Sequence, residues 1–344
     1  MNEHKVGYFF IVMASVVVVL AGVKSASAIL VPFLLSLFIA IILAPVFNFF
    51  KSKKVPEGLA LIFVVSIFIV ALGLVAKLIG TSVTDFSANI NMYSQQLSMY
   101  YNSLAGYADK FGIDLPVEEF STLVDSKRIM TFGTTLLQSV GSMFTNGFVI
   151  ILTVVFMLLE SGNFVKKIDF ADGSRDTIIH IKEILEKIKH YMVLKALVSL
   201  LTGFLVWIAL LLIGTDYAFL WAVLAFMFNF IPNIGSIIAA VPAVLITLVQ
   251  LGSLSALFVT LVYVAVNIVI GSILEPKVMG KGLGLSTLVV FLSLLFWGWL
   301  LGIVGMLLSI PLTIMAKIAF DANENTKWIS VLLGSGEYLN KKKI

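Results

Sequence analysis

Cysteine is absent from this chain of 344 residues, histidine occurs three times, and charged residues make up only 12% of it. Without thiols there can be no disulfide, no cysteine nucleophile and no thiolate metal site. His4, His180 and His190 all fall outside the apolar runs. The last two are ten residues apart on one segment, whereas a helical metal pair needs a spacing of three or four. An intramembrane serine protease would have no base beside its nucleophile, and a zinc protease would lack its His-Glu-x-x-His. No catalytic residue, metal or cofactor is therefore expected, and the chain is not read as an enzyme.

What the chain has in excess is apolar surface. It is 60% hydrophobic, with a mean hydropathy of +1.08, well outside the soluble range. Apolar runs recur at Val6–Val23, Ile29–Phe50, Leu59–Ala76, Phe148–Leu159, Ala196–Ile213, Ala218–Val249, Ala256–Leu274 and Leu288–Phe320. About 20 helical residues cross a bilayer core. The expected fold class is all-α: a polytopic integral membrane protein with about six to eight transmembrane segments. The first run lacks a small-residue cleavage site followed by a polar segment, so it reads as a retained helix.

The net charge of +4 comes from lysines lying between the runs, where they orient a membrane protein rather than bind nucleic acid. Lys51, Lys53 and Lys54 form one basic block and Lys166–Lys195 contains the other, so both are expected in the cytoplasm, together with the N-terminus. Between them, Thr81–Asn146 carries Asp85, Asp109, Asp114, Glu118, Glu119 and Asp125 against Lys110, Lys127 and Arg128. This acidic stretch is expected on the external side as a small helical domain. Ser174–Lys195 places Ile178, Ile181, Leu185, Ile188 and Met192 at helical spacing, an amphipathic helix on the cytoplasmic surface. The expected organisation is N-terminal transmembrane helices over 1–80, the external domain over 81–146 and a transmembrane helix over 147–160. The amphipathic helix over 161–195, a transport core over 196–320 and a cytoplasmic tail over 321–344 complete it.

Two runs have an awkward length. Ala218–Val249, if wholly helical, would be about 48 Å long, too long for one upright span and too short for two with a turn. Leu288–Phe320 is similar and is interrupted by Gly298, Gly302, Gly305 and Pro311. As hairpins returning to one side, they leave Lys277, Lys281, Lys317 and Lys341 to Lys343 cytoplasmic. As tilted spans, they place Lys277 and Lys281 outside. Broken or re-entrant hairpins are the expected form of both.

Within the first of these runs, "FNFIPNIGSIIAAVPA" sets Asn229, Pro232, Asn233, Gly235 and Ser236 where an undisturbed helix would run. Irregular backbone at membrane depth survives only where protein or a water-filled cavity surrounds it, and transporters build substrate sites from such breaks. These residues, with Asn267, are candidates for a solute pathway; a structural kink or hairpin tip is the competing explanation. Glu275 closes the next run and opens a loop with Pro276, Lys277, Gly280, Gly282 and Gly284. An ionisable group at membrane depth is a functional candidate, here for gating or coupling; capping or pairing with Lys277 is the alternative. The "GKG" lacks the Ser or Thr that a phosphate loop needs after its lysine. Gly298 and Gly302 have the Gly-x-x-x-Gly spacing of close helix packing.

"PNIGS", "LEPKVMGKGLGLSTLVVFLSLLFWGWLLG" and "GMLLSIPLT", with "VPFLLSLFIAIILAP" and "HYMVLKALVSLLTG", resemble the signature blocks of the autoinducer-2 exporter family of bacterial membrane proteins. The resemblance covers nearly the whole chain. It implies an inner-membrane homo-oligomer that exports autoinducer-2, a small neutral furanosyl signal, and so affects quorum sensing and biofilm behaviour. Some relatives are assigned sodium or lithium for proton exchange, so a cation/proton antiporter or an exporter of another small solute is the alternative. The carboxylates Glu160, Asp216, Glu275 and Asp321 all lie at the ends of runs, which favours a neutral solute.

Overall fold

The computed structural model describes residues 3–112, 147–171, 175–231, 235–279, 284–321 and 324–335, with the side chains of 161–185 left undescribed. Pro232, Asn233, Gly280 and Gly282, together with Lys281 and Lys341 to Lys343, lie outside the described residues. The regular elements are helical: α1 Glu3–Ser25, α2 Ser27–Ser52, α3 Glu57–Asp109, α4 Gly147–Ala171, α5 Arg175–Ile213, α6 Ala218–Phe228 and α7 Gly235–Leu251. After these come α8 Ser253–Val266, a π-helical segment Asn267–Leu274, α9 Glu275–Met279, α10 Thr287–Leu307, α11 Ser309–Asp321 and α12 Lys327–Leu333. Among the described residues, five helices are long and apolar enough to cross a membrane, and shorter apolar helices accompany them. The all-α polytopic architecture expected from composition is the one observed.

Three helices run straight through boundaries drawn from polarity: α4 passes residue 160 and ends at Ala171, and α3 and α5 run on further. α3 continues unbroken from the apolar Leu59–Ala76 into the polar stretch as far as Asp109, and α5 carries the amphipathic segment directly into the run that begins at Ala196. Local polarity changes along both, but neither contains a proline, so the hydrogen-bond ladder is not interrupted.

The chain divides into two compact units. One comprises 1–61, 148–193 and 281–344; the other comprises 62–147 and 194–280. Each contains one of the awkward runs, and each run is a hairpin.

In the second unit, α6 and α7 turn back on each other. Thr215 Oγ1 lies 3.0 Å from Thr247 Oγ1 at their open end. Beside it the Asp216 amide donates to Gln250 Oε1 at 2.7 Å, and Gln250 Nε2 donates to the Gly214 carbonyl at 3.1 Å. A tilted single span could not bring residues 214–216 against 247–250. At 11 residues, α6 is about 17 Å long, roughly half of a bilayer core of about 30 Å. Ala218, Ala222 and Ala225 of α6 and Ala239 and Ala243 of α7 are buried in the same core cluster. Small residues at these positions let two backbones approach closely.

In the first unit, α10 and α11 form the other hairpin. Trp297 Nε1 donates to Thr313 Oγ1 at 2.9 Å, and Lys317 Nζ donates to the Gly284 carbonyl at 2.5 Å, so the two ends of the run meet. Gly302 makes the turn with φ 69° and ψ −151°, a conformation open essentially to glycine alone. Gly298 lies where a Cβ would come within 2.8 Å of Met306 Cγ, and a Cβ on Gly305 would strike the Trp297 carbonyl. The spacing of Gly298 and Gly302 thus serves a return of the chain on itself: one glycine provides the close approach and the other provides the turn.

Candidate functional site

The site is built around one face of α5. Lys195, Ser199 and Thr202 fall at i, i+4 and i+7, a single helical stripe, and their relative exposures are 4%, 0% and 5%. Polar groups buried in a membrane-spanning helix need partners, and two of these find theirs on elements singled out by the sequence. Asn229, just past the end of α6, donates from Nδ2 to Ser199 Oγ at 2.9 Å. Glu275, at the start of α9, accepts from Lys195 Nζ at 2.6 Å. Thr202 satisfies itself by donating to the Val198 carbonyl at 3.0 Å, the back-bond open to a threonine within a helix.

α6 ends for local reasons. The amides of Phe230 and Ile231 bond back to the Met227 and Phe228 carbonyls at 3.2 and 2.8 Å, tightening the last turn, and Pro232 follows. α7 begins at Gly235, whose backbone presses on the Phe228 carbonyl so closely that any Cβ would collide with it. Glycine is needed here for close approach rather than for torsion. Ser236 lies half-buried in the next position of α7.

Beyond α8 the helix widens. Asn267–Leu274 forms a π-helical segment, and the Glu275 amide bonds to the Ile270 carbonyl five residues back. Such segments are rare and are found mostly at functional sites. Asn267 is exposed and is not joined to Asn229 or Ser236 among the described residues. Its amide oxygen faces Gly271, at 3.2 Å from where a Cβ would stand. Pro276 and Lys277 are exposed. The partner of Glu275 is therefore Lys195, eighty residues away, and not the adjacent Lys277. Gly284, in the first unit, has φ 68° and gives its carbonyl to Lys317.

At the open end of the first hairpin is a second polar group. Tyr93, on the polar half of α3, donates to Asp216 Oδ2 at 2.8 Å. Its ring stacks on Phe86 with centroids 6.0 Å apart, and Phe86 meets Tyr217 and Trp221 edge-on. Trp221 Nε1 donates to the Asp216 carbonyl at 2.9 Å. Tyr217 has φ 57°, an uncommon conformation for a non-glycine residue, and it caps the start of α6.

Sequence reasoning missed Lys195, Ser199 and the Tyr93–Asp216 contact. A signal for the first two was present, because lysine, serine and threonine recur at helical spacing within "HYMVLKALVSLLTG". The third joins positions more than a hundred residues apart and leaves no local trace. Among the described residues, no three His, Asp or Glu side chains group together as metal ligands would. The arrangement can therefore offer hydroxyl, amide and backbone groups, while its one buried lysine is neutralised by its own carboxylate.

The chain is similar to known proteins along nearly its whole length. The chain is 39% identical over 333 residues to the AI-2 transport protein TqsA of Escherichia coli (strain K12), with 96% of each protein covered. It is 41% identical over 332 residues to a protein of Haemophilus influenzae, covering 94% of this chain and 95% of that one. It is 38% identical over 325 residues to YhhT of E. coli (strain K12), covering 94% and 93%. The names of the latter two give transport as the role and no substrate. The profile described as AI-2E family transporter matches residues 10–325, and the chain belongs to that family of membrane transporters.

Proposed function

We propose that this protein exports autoinducer-2 from the bacterial cytoplasm across the inner membrane, with both termini cytoplasmic and as a homo-oligomer. The observation that carries the proposal is the 39% identity, across 96% of both chains, with a protein named for AI-2 transport. The chemistry of the second unit supports it. A small neutral molecule rich in hydroxyl and carbonyl groups suits the uncharged polar side chains that the sequence gathers around the break between α6 and α7, Asn229, Asn233 and Ser236, with Pro232 and Gly235 beside them and Asn267 further along the chain. Such groups bind without fixed charge. The loop expected to open at Glu275 begins instead with the short helix α9, and the stretch from Glu275 to Gly284 serves as hinge. Its glycines 280, 282 and 284 flank the point, between Gly280 and Lys281, where the chain passes from one compact unit to the other.

A sodium or lithium/proton antiporter is the second reading, since Glu275 could exchange protons for cations. Its carboxylate already has a buried ammonium 2.6 Å away, which leaves little charge for a cation to neutralise. The deciding experiment measures autoinducer-2 inside and outside cells that lack the protein, then in cells restored with wild type or with Asn233→Ala. Export predicts that deletion raises the internal fraction and that wild type lowers it again. Asn233→Ala should fail to lower it while reaching the membrane in normal amount. An unchanged distribution, with growth lost under sodium or lithium stress at alkaline pH, would replace export with exchange.

A further inference from the structure

Tyr263 of α8 is 5% exposed, and its hydroxyl has no hydrogen-bond partner among the described residues. Buried polar groups nearly always have one. The only other such atom there is Ser309 Oγ, but a serine can rotate to a carbonyl of its own helix. A tyrosine cannot, because its rigid ring holds the hydroxyl well clear of its own backbone.

The surroundings make the orphan informative. Tyr263 belongs to the same buried cluster as Trp221 and Ala225 of α6 and Ala239, Ala243 and Ile246 of α7, so α8 shares the core of the hairpin. α8 leaves α7 through Gly252, beside the hairpin's open end, and Tyr263 is the eleventh residue of α8, about 15 Å in. Phe228 is likewise the eleventh residue of α6, about 15 Å from the same end. Tyr263 and the end of α6 thus lie the same number of helical residues from the open end, and the π-helical segment begins one turn beyond Tyr263.

We infer that the Tyr263 hydroxyl is a recognition group for the transported solute, bonding to a hydroxyl or carbonyl oxygen of a small neutral molecule that has entered the hairpin. This rests on the exporter reading above and adds a residue to it. A bound solute then supplies the hydrogen-bond partner that the Tyr263 hydroxyl does not find among the described residues.

The test is Tyr263→Phe, which removes one oxygen and preserves the ring. Initial rates of autoinducer-2 uptake into inside-out vesicles and thermal melting of the purified protein are measured together. The expected result is a KM raised about tenfold, the worth of one hydrogen bond, with a melting temperature equal to or above wild type. An unchanged KM overturns the inference. A melting temperature lowered by several degrees also overturns it, since the hydroxyl would then be bonded within the resting protein. If wild-type vesicles take up no autoinducer-2, the exporter reading itself fails and the inference falls with it.

Discussion

Removing Glu275 should damage the protein more than removing Lys195, although both changes break the same pair. The two charges are 2.6 Å apart, and their side chains are 4% exposed for Lys195 and 20% for Glu275. At an effective dielectric near 20, the gross attraction is about 6 kcal/mol. Desolvating both ions consumes most of this, so the intact pair contributes little net stability. Glu275→Gln abolishes the attraction and leaves the ammonium stranded where water cannot reach it, a loss of about 3 kcal/mol. Lys195→Met leaves a carboxylate that still touches solvent and can rehydrate, so about 1–2 kcal/mol is the expected loss. The double variant should return close to wild type, giving a coupling energy of about 4–5 kcal/mol. Melting of the detergent-solubilised protein, followed by tryptophan fluorescence, reads all four corners of the cycle. At about 2–4 °C per kcal/mol, Glu275→Gln should melt roughly 6–12 °C lower. Small losses that simply add would refute the view that these groups hold α5 and α9 together. Equal losses from the two single changes would refute the argument from exposure.

The two glycines of the second hairpin should separate cleanly. Gly302→Ala forces a side chain into φ 69°, ψ −151° and should cost about 1–3 kcal/mol. Gly298→Ala meets only the flexible end of Met306 and should cost less than about 1 kcal/mol; equal melting temperatures would contradict the turn. Ser199→Ala should lower stability by about 1–2 kcal/mol by orphaning the Asn229 amide. Adding Asn229→Leu should recover part of that loss, and strictly additive losses would mean that the contact contributes nothing.

The hairpins were legible because run length is a hard physical constraint. A helix of more than thirty apolar residues fits neither one span nor two, and prolines and glycines in its interior mark where it must fold back. What each glycine does was less legible. A spacing of four describes which residues share a helical face and is silent on φ, so Gly298 and Gly302 read alike although one accommodates Met306 and the other makes the turn. The partner of Glu275 was hidden for a different reason. The local candidate, Lys277, is two residues away on the chain, whereas Lys195 is reached only because α5 packs beside α9, and no periodicity connects positions eighty apart. Lys195 also closes a stretch of alternating basic and apolar residues, so composition assigns it to a water-exposed surface. The helix carries it into the buried stripe with Ser199 and Thr202 instead.

That stripe bears on the choice between neutral and ionic cargo. A carrier that exchanges protons for cations needs a carboxylate free to lose and regain charge within the membrane. In the second unit, the carboxylate that opens α9 is held by a lysine, and the end of α6 presents an asparagine already bonded to a serine. Releasing Glu275 to bind sodium would strand Lys195 in an apolar surrounding, a cost that a monovalent cation with its own dehydration penalty is poorly placed to offset. A neutral hydroxylated solute makes no such demand. Under the proposed export it would trade hydrogen bonds with Asn229 and Ser199 one at a time while the ion pair stays closed, so the uncharged polar groups around the break are the ones the export proposal needs and the exchange reading does not use.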